Sequence, residues 1–116
     1  MTRIFPLHLM DGHLFVELAG ELWLLDTGAP YSFGSHEVLI LIDEQFQVGT
    51  SHLGLSGERL SQFVGVSCCG LLGADVLGRF DHIFDTTNGT IMISKEELSH
   101  EGQDAVSYTH LRAHET

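Results

Sequence analysis

Residues 21–26 read Glu-Leu-Trp-Leu-Leu-Asp, so a carboxylate stands at the end of an unbroken apolar run. A strand that is apolar at nearly every position buries both of its faces. It holds the next residue in a fixed and partly desolvated place, as a water-activating carboxylate needs. The run leads into Asp26-Thr27-Gly28-Ala29-Pro30, a loop punctuated by Pro30 and Gly34. Gly28 leaves room for a backbone N–H to approach the carboxylate. Thr27 can turn its hydroxyl inward, where it requires a hydrogen-bond partner. Asp, Thr and Gly are also common in plain β-turns, so these three residues by themselves leave both readings open.

The flanking segments predict a mainly β chain. Residues 4–10 and 13–18 are expected to be strands joined by Asp11-Gly12, and Ala19-Gly20 makes the next turn into 21–25. The Val-Leu-Ile-Leu-Ile run within 36–42 fits a buried strand or a short helix; its Val and Ile content and its length favour the strand. Residues 45–48 and 62–67 also read as strands, and the Gly-bearing stretch between them, 49–61, as a mobile hairpin or loop. Leu71-Leu72-Gly73 is a short buried piece. Residues 74–80 are expected to form about two turns of helix with Val76, Leu77 and Phe80 on one side. Residues 82–85 and 90–94 pair across Thr86-Thr87-Asn88-Gly89, where Asn-Gly tolerates positive φ. About seven short strands and one helix make a single all-β or mainly β domain.

Leu71-Leu72-Gly73 lies 45 residues beyond Asp26 and runs into the expected helix. Taken together, LWLL, DTGA, LLG and ADVLGRF resemble the retropepsin-like (retroviral-type, single-lobe) aspartic protease family, and FDHIFDTTNGTIMIS resembles the closing hairpin of its bacterial and retroelement relatives. The resemblance spans residues 4–94. It implies an acid-protease-like closed β-barrel lobe with one short helix, working as a homodimer. It implies that Asp26 is catalytic, with Thr27, Gly28, Ala29, Leu72 and Gly73 supporting the active site. Asp75, Asp81 and Asp85 lie in the wrong context to be a second catalytic carboxylate, so the partner of Asp26 is Asp26 of another copy. Two such carboxylates share one proton and hold a water that attacks the peptide carbonyl. The substrate is then a peptide or protein, with no cofactor and no metal.

Two departures stand out. Viral members carry an acidic residue after DTGA and an arginine after the later Gly, forming an ion pair; here those positions are Pro30 and Ala74, so no orphan charge remains. Residues 49–61 must serve as the flap over the substrate, and they make a short one. There are two rival readings: a catalytically inactive retropepsin-like dimerisation or peptide-binding module, and an unrelated small β-barrel with a chance DTGA turn.

The chain's 116 residues suit one domain, placed at 1–104. Residues 105–116 show no periodicity and end SYTHLRAHET; they read as a non-native or disordered tail and are left out of the fold reasoning. Five Lys and Arg against sixteen Asp and Glu give a formal net charge of −11, which argues against nucleic acid as a partner. No apolar run is long enough to span a membrane. The first ten residues, with Arg3, Pro6 and His8, lack the apolar core of a signal peptide, so a cytoplasmic location is expected. Cys68 and Cys69 are sequence neighbours, which rarely bridge each other; they read as two small thiols rather than a disulfide or a metal site. The eight histidines are dispersed, and His110 and His114, at helical spacing, fall in the tail. Trp23 reads as a core or interface anchor. Neither Ser32 nor Ser35 lies in a nucleophile motif.

Overall fold

Three tight turns shape the hairpins. Asp11-Gly12 (φ 49° and 79°), Ala19-Gly20 (50° and 81°) and Ile42-Asp43 (49° and 60°) each place two consecutive residues in the left-handed region. That is the two-residue turn whose twist matches that of paired strands. A computed structural model describes residues 1–51 and 54–96 and the backbone of 52 and 108–111. Its elements are β1 (Thr2–Met10), β2 (His13–Leu18), β3 (Glu21–Leu25), β4 (Phe33–Gly34), β5 (Val38–Leu41), β6 (Glu44–Gln47), β7 (Ser51–His52), β8 (Leu55–Ser56), α1 (Gly57–Val64), β9 (Gly70–Leu72), α2 (Ala74–Leu77), β10 (Asp81–Asp85), β11 (Thr90–Ser94) and β12 (Tyr108–Leu111).

Eight strands form one sheet in the order β12-β10-β11-β1-β2-β3-β9-β4, and β5-β6 and β7-β8 are separate hairpins. β1 changes partner midway: Thr2 to Pro6 pair with β11, and Leu7 to Met10 pair with β2. The sheet therefore consists of two halves that share β1. The main core lies against both halves, with Val16, Trp23 and Leu72 from one, Phe84, Ile91 and Ile93 from the other, and Leu39, Leu41 and Phe46 from the β5-β6 hairpin. A second cluster, Phe15, Leu24, Phe33 and Leu71, packs against Leu60 and Val64 of α1. Adjacent residues of β3, Trp23 and Leu24, thus fall in different clusters, and the strand is buried on both faces.

The mainly β class stands, with corrections. Among the described residues the sheet runs from β12 to β4 without closing into a barrel. Among the described residues there are two helices rather than one. The new one, α1, occupies residues expected to be loop and strand. Ser56 Oγ accepts from Arg59 N–H at its start, Leu60 and Val64 are buried one turn apart, and Gly65 closes it at φ 76°, donating to Ser61 C=O. Cap, spacing and stop all favour helix over the extended reading of 62–67. α2 spans four residues, not seven; beyond it Arg79 and Phe80 bond back three residues, to Val76 and Leu77, a tighter final turn. β4 falls within a stretch read as loop. In the segment 105–116, expected to be a non-native or disordered tail, the backbone of 108–111 pairs antiparallel with β10; the remaining residues lie outside the described ones. No helix among the described residues is long and apolar enough to cross a membrane.

Candidate functional site

β3 and β9 run parallel, with Leu24 beside Leu71 and Leu25 beside Leu72, so their C-terminal ends emerge side by side. The Asp26 N–H extends this ladder by donating to Leu72 C=O at 3.0 Å. The chain then turns on itself. Ala29 N–H donates to Asp26 C=O at 3.1 Å, and Gly28 N–H donates to Asp26 Oδ1 at 3.0 Å. The carboxylate is thus oriented by its own loop, as Asp side chains commonly are at turns. Asp26, Thr27 and Gly28 are exposed, whereas Leu72 beside them is fully buried.

The second strand of the site supports the first. Ala74 N–H donates to Ala29 C=O at 2.7 Å. A Cβ on Gly73 would stand 2.6 Å from that same carbonyl oxygen, so the DTGA loop lies directly on Gly73. Asp26, Gly28, Ala29, Leu72 and Gly73 therefore form one bonded unit, and Thr27 stands at its exposed tip.

Ser32 is the residue that sequence reasoning passed over. It is buried, its Oγ donates to Asp75 Oδ1 at 2.6 Å and accepts from Gly73 N–H at 2.8 Å, and its own N–H donates to Asp75 Oδ2 at 3.0 Å. Asp75 also accepts from Val76 N–H at 2.9 Å. The tie between loop and helix that an ion pair at Pro30 and Ala74 would have made is made here by Ser32 and Asp75. No local pattern marks the pair, because 43 positions separate them.

The segment expected to serve as flap divides in two. β7 and β8 form a two-residue ladder, Ser51 with Ser56 and His52 with Leu55, and the chain then enters α1. A cavity of about 360 Å³, lined by Trp23, Leu39 and Ile40 among others, opens beside Glu21 and His36, at the opposite end of β3 from Asp26.

Glu21, His36 and Cys69 meet at that same end, although sequence reasoning gave none of them a role. His36 Nε2 lies 2.9 and 3.2 Å from the two Glu21 carboxylate oxygens. The His36 ring, and after it the Cys69 thiol, hold the Glu21 carboxyl below its ordinary range. Burial, and then Glu21 as hydrogen-bond partner, push the Cys69 thiol up. No protein-family model, curated protein or solved structure matches the chain.

Proposed function

We propose that this chain is an aspartic endopeptidase of the retropepsin-like kind, acting in the cytoplasm as a homodimer on peptide or protein substrates. The observation that carries this reading is the joining of Asp26 and Leu72-Gly73 at the ends of two parallel, buried strands. A strand buried on both faces fixes the Asp26 backbone, and Gly28 N–H fixes its carboxylate. The tip of the loop is left exposed, as a surface that meets its own copy across a two-fold axis must be.

The chemistry rests on one such carboxylate per chain. Brought together, two Asp26 side chains hold a water between them. One takes its proton as it attacks the peptide carbonyl, and the other, protonated, donates a hydrogen bond to the developing oxyanion. Thr27, beside Asp26 at the tip, bonds across the axis and locks the two loops.

The test is cleavage of an unstructured protein, with association followed by sedimentation in the same buffers. Asp26→Asn keeps the shape and removes the base; it abolishes cleavage and leaves the dimer intact. Pepstatin, a transition-state mimic, binds the parent and not the variant. Cleavage by Asp26→Asn at the parental rate overturns the reading. A dimer that cleaves nothing in a broad peptide library supports the second reading, an inactive dimerisation or peptide-binding module. One observation favours that second reading: the expected flap is a two-residue ladder followed by a helix, a small cover for a substrate.

A further inference from the structure

Three neighbouring strands, β3, β9 and β4, carry the DTGA loop and its supports at one end. At the other end each contributes a different metal-binding group. Glu21 opens β3, Cys69 immediately precedes β9, and His36 follows β4 by two residues. One ligand atom from each, a carboxylate oxygen, the thiol sulfur and an imidazole nitrogen, lie within 4.8 Å of one another. In a four-coordinate zinc site, with bonds of about 2.0–2.2 Å to N and O and about 2.3 Å to S, ligand atoms stand roughly 3.4–3.6 Å apart. The cluster therefore reaches that geometry by ångström-scale side-chain movement, with the backbone already in place.

That backbone is held firmly. Cys69 N–H donates to Leu22 C=O at 2.7 Å, and Cys69 C=O accepts from both Ser35 N–H at 2.9 Å and Ser35 Oγ at 3.1 Å. Cys69 is thus tied to β3 on one side and to the chain leaving β4 on the other. Cys69 is 6% exposed and forms the floor, while Glu21 and His36 are exposed and form the rim. A depression lined by Gly20, Glu21, Ser35, Ser67, Cys68 and Cys69 opens onto the cluster and gives a cation a way in.

An exposed His–Glu contact accounts for two of the three groups and is worth little by itself. It does not account for a thiol brought to the same point from a third strand. One sulfur, one imidazole nitrogen and one carboxylate suit a borderline-soft divalent ion; calcium and magnesium take oxygen ligands. We propose that Glu21, His36 and Cys69 bind one zinc-like divalent cation, with water in the fourth position. The Cys69 proton leaves to solvent as the metal–sulfur bond forms. The ion clamps β3, β9 and β4 together at the end of the strands remote from Asp26, independently of any activity there.

The test uses the full chain, reduced and stripped with a chelator, titrated with Co²⁺ and then Zn²⁺. One equivalent of Co²⁺ should produce a thiolate-to-cobalt charge-transfer band with the strong visible absorption of a four-coordinate ion. Zn²⁺ should displace it. Free Zn²⁺ at about a hundredfold over Kd should raise the melting midpoint by roughly 10 °C. Cys69→Ser should abolish the band. Cys68→Ser should keep it, because the Cys68 thiol lies against Ser61 Oγ at 3.6 Å and is not one of the three grouped ligand atoms. His36→Asn and Glu21→Gln alter exposed side chains, leave the fold intact, and should each weaken Co²⁺ binding by about tenfold or more. Should Cys69→Ser fail to fold, these two variants decide. The absence of a thiolate band at one equivalent, a band that survives Cys69→Ser, or parental affinity in His36→Asn overturns the proposal.

Discussion

A Cβ on Gly73 would meet backbone on two sides, the Ala29 carbonyl oxygen at 2.6 Å and the Tyr31 carbonyl carbon at 3.1 Å. Its φ of −105° suits any residue, so the objection is space and not conformation. Gly73→Ala must push the Ala29 carbonyl away from the Ala74 N–H that it accepts at 2.7 Å. Overpacking of this kind costs about 1–3 kcal/mol. Ser32→Ala arrives at the same place by another route. The buried hydroxyl is the acceptor for Gly73 N–H, and removing it leaves that donor without a partner, at about 1–3 kcal/mol. Asp75 keeps its bonds from Ser32 N–H and Val76 N–H, so the loss stays local. Denaturant unfolding of both variants and of the double variant measures these costs. Because both changes act on Gly73, one on its Cα and the other on its N–H, the double variant loses less than the sum of the two. A Gly73→Ala protein melting within a degree or two of the parent would remove Gly73 from beneath the loop.

The hairpin turns set strain against burial at the level of the element. Ala19, at φ 50°, occupies the left-handed region, where a side chain other than Gly, Asn or Asp costs roughly 1–2 kcal/mol. Ala19 is exposed, so Ala19→Asn loses no core contact and should stabilise the β2–β3 hairpin by about 0.5–1 kcal/mol. Ile42 has the same conformation but is 4% exposed in the main core. Burying such a side chain is worth about 1.5–3 kcal/mol, more than the strain. Ile42→Asn should therefore destabilise although it suits the turn better. Thermal unfolding that shifts both variants the same way would show that this balance is misjudged. Turns of this kind are written in adjacent residues, which is why Asp11-Gly12 and Ala19-Gly20 were legible in the sequence. The doubly buried β3 was legible for the same reason. α1 was locally written too, in Ser56, in the spacing of Leu60 and Val64, and in Gly65; a short apolar run simply does not separate helix from strand. β4 was not legible, because two residues make a strand only when β9 arrives to pair with them. The Ser32–Asp75 tie and the meeting of Glu21, His36 and Cys69 lie further out of reach: each depends on strands placed side by side by the whole sheet.

Self-association must be judged for the molecule as a whole, because each copy brings a formal net charge of −11. Nothing in the DTGA loop offsets that charge; the loop adds a carboxylate of its own at its exposed tip. A dimer formed there gains from packing and from hydrogen bonds between the two loops, and loses to repulsion spread over both surfaces. The repulsion is long-ranged and screened, over about 10 Å at 0.1 M salt and about 3 Å at 1 M. The loop contacts are short-ranged and hardly respond to salt. Raising ionic strength at constant pH should therefore tighten the dimer, with sedimentation equilibrium giving a dissociation constant that falls as salt rises. Thr27→Ala should weaken the dimer at every salt concentration while keeping the same slope, because it removes a contact and no charge; a hydrogen bond nets about 1 kcal/mol, or roughly a fivefold change in dissociation constant. Asp26→Asn removes the negative charge of the pair at the axis itself and should flatten the slope. A dimer that loosens with salt would mean that opposite charges hold the two copies together somewhere other than this loop. A chain that stays monomeric at high concentration and high salt would leave Asp26 without its second carboxylate, and the proposed chemistry would have no site.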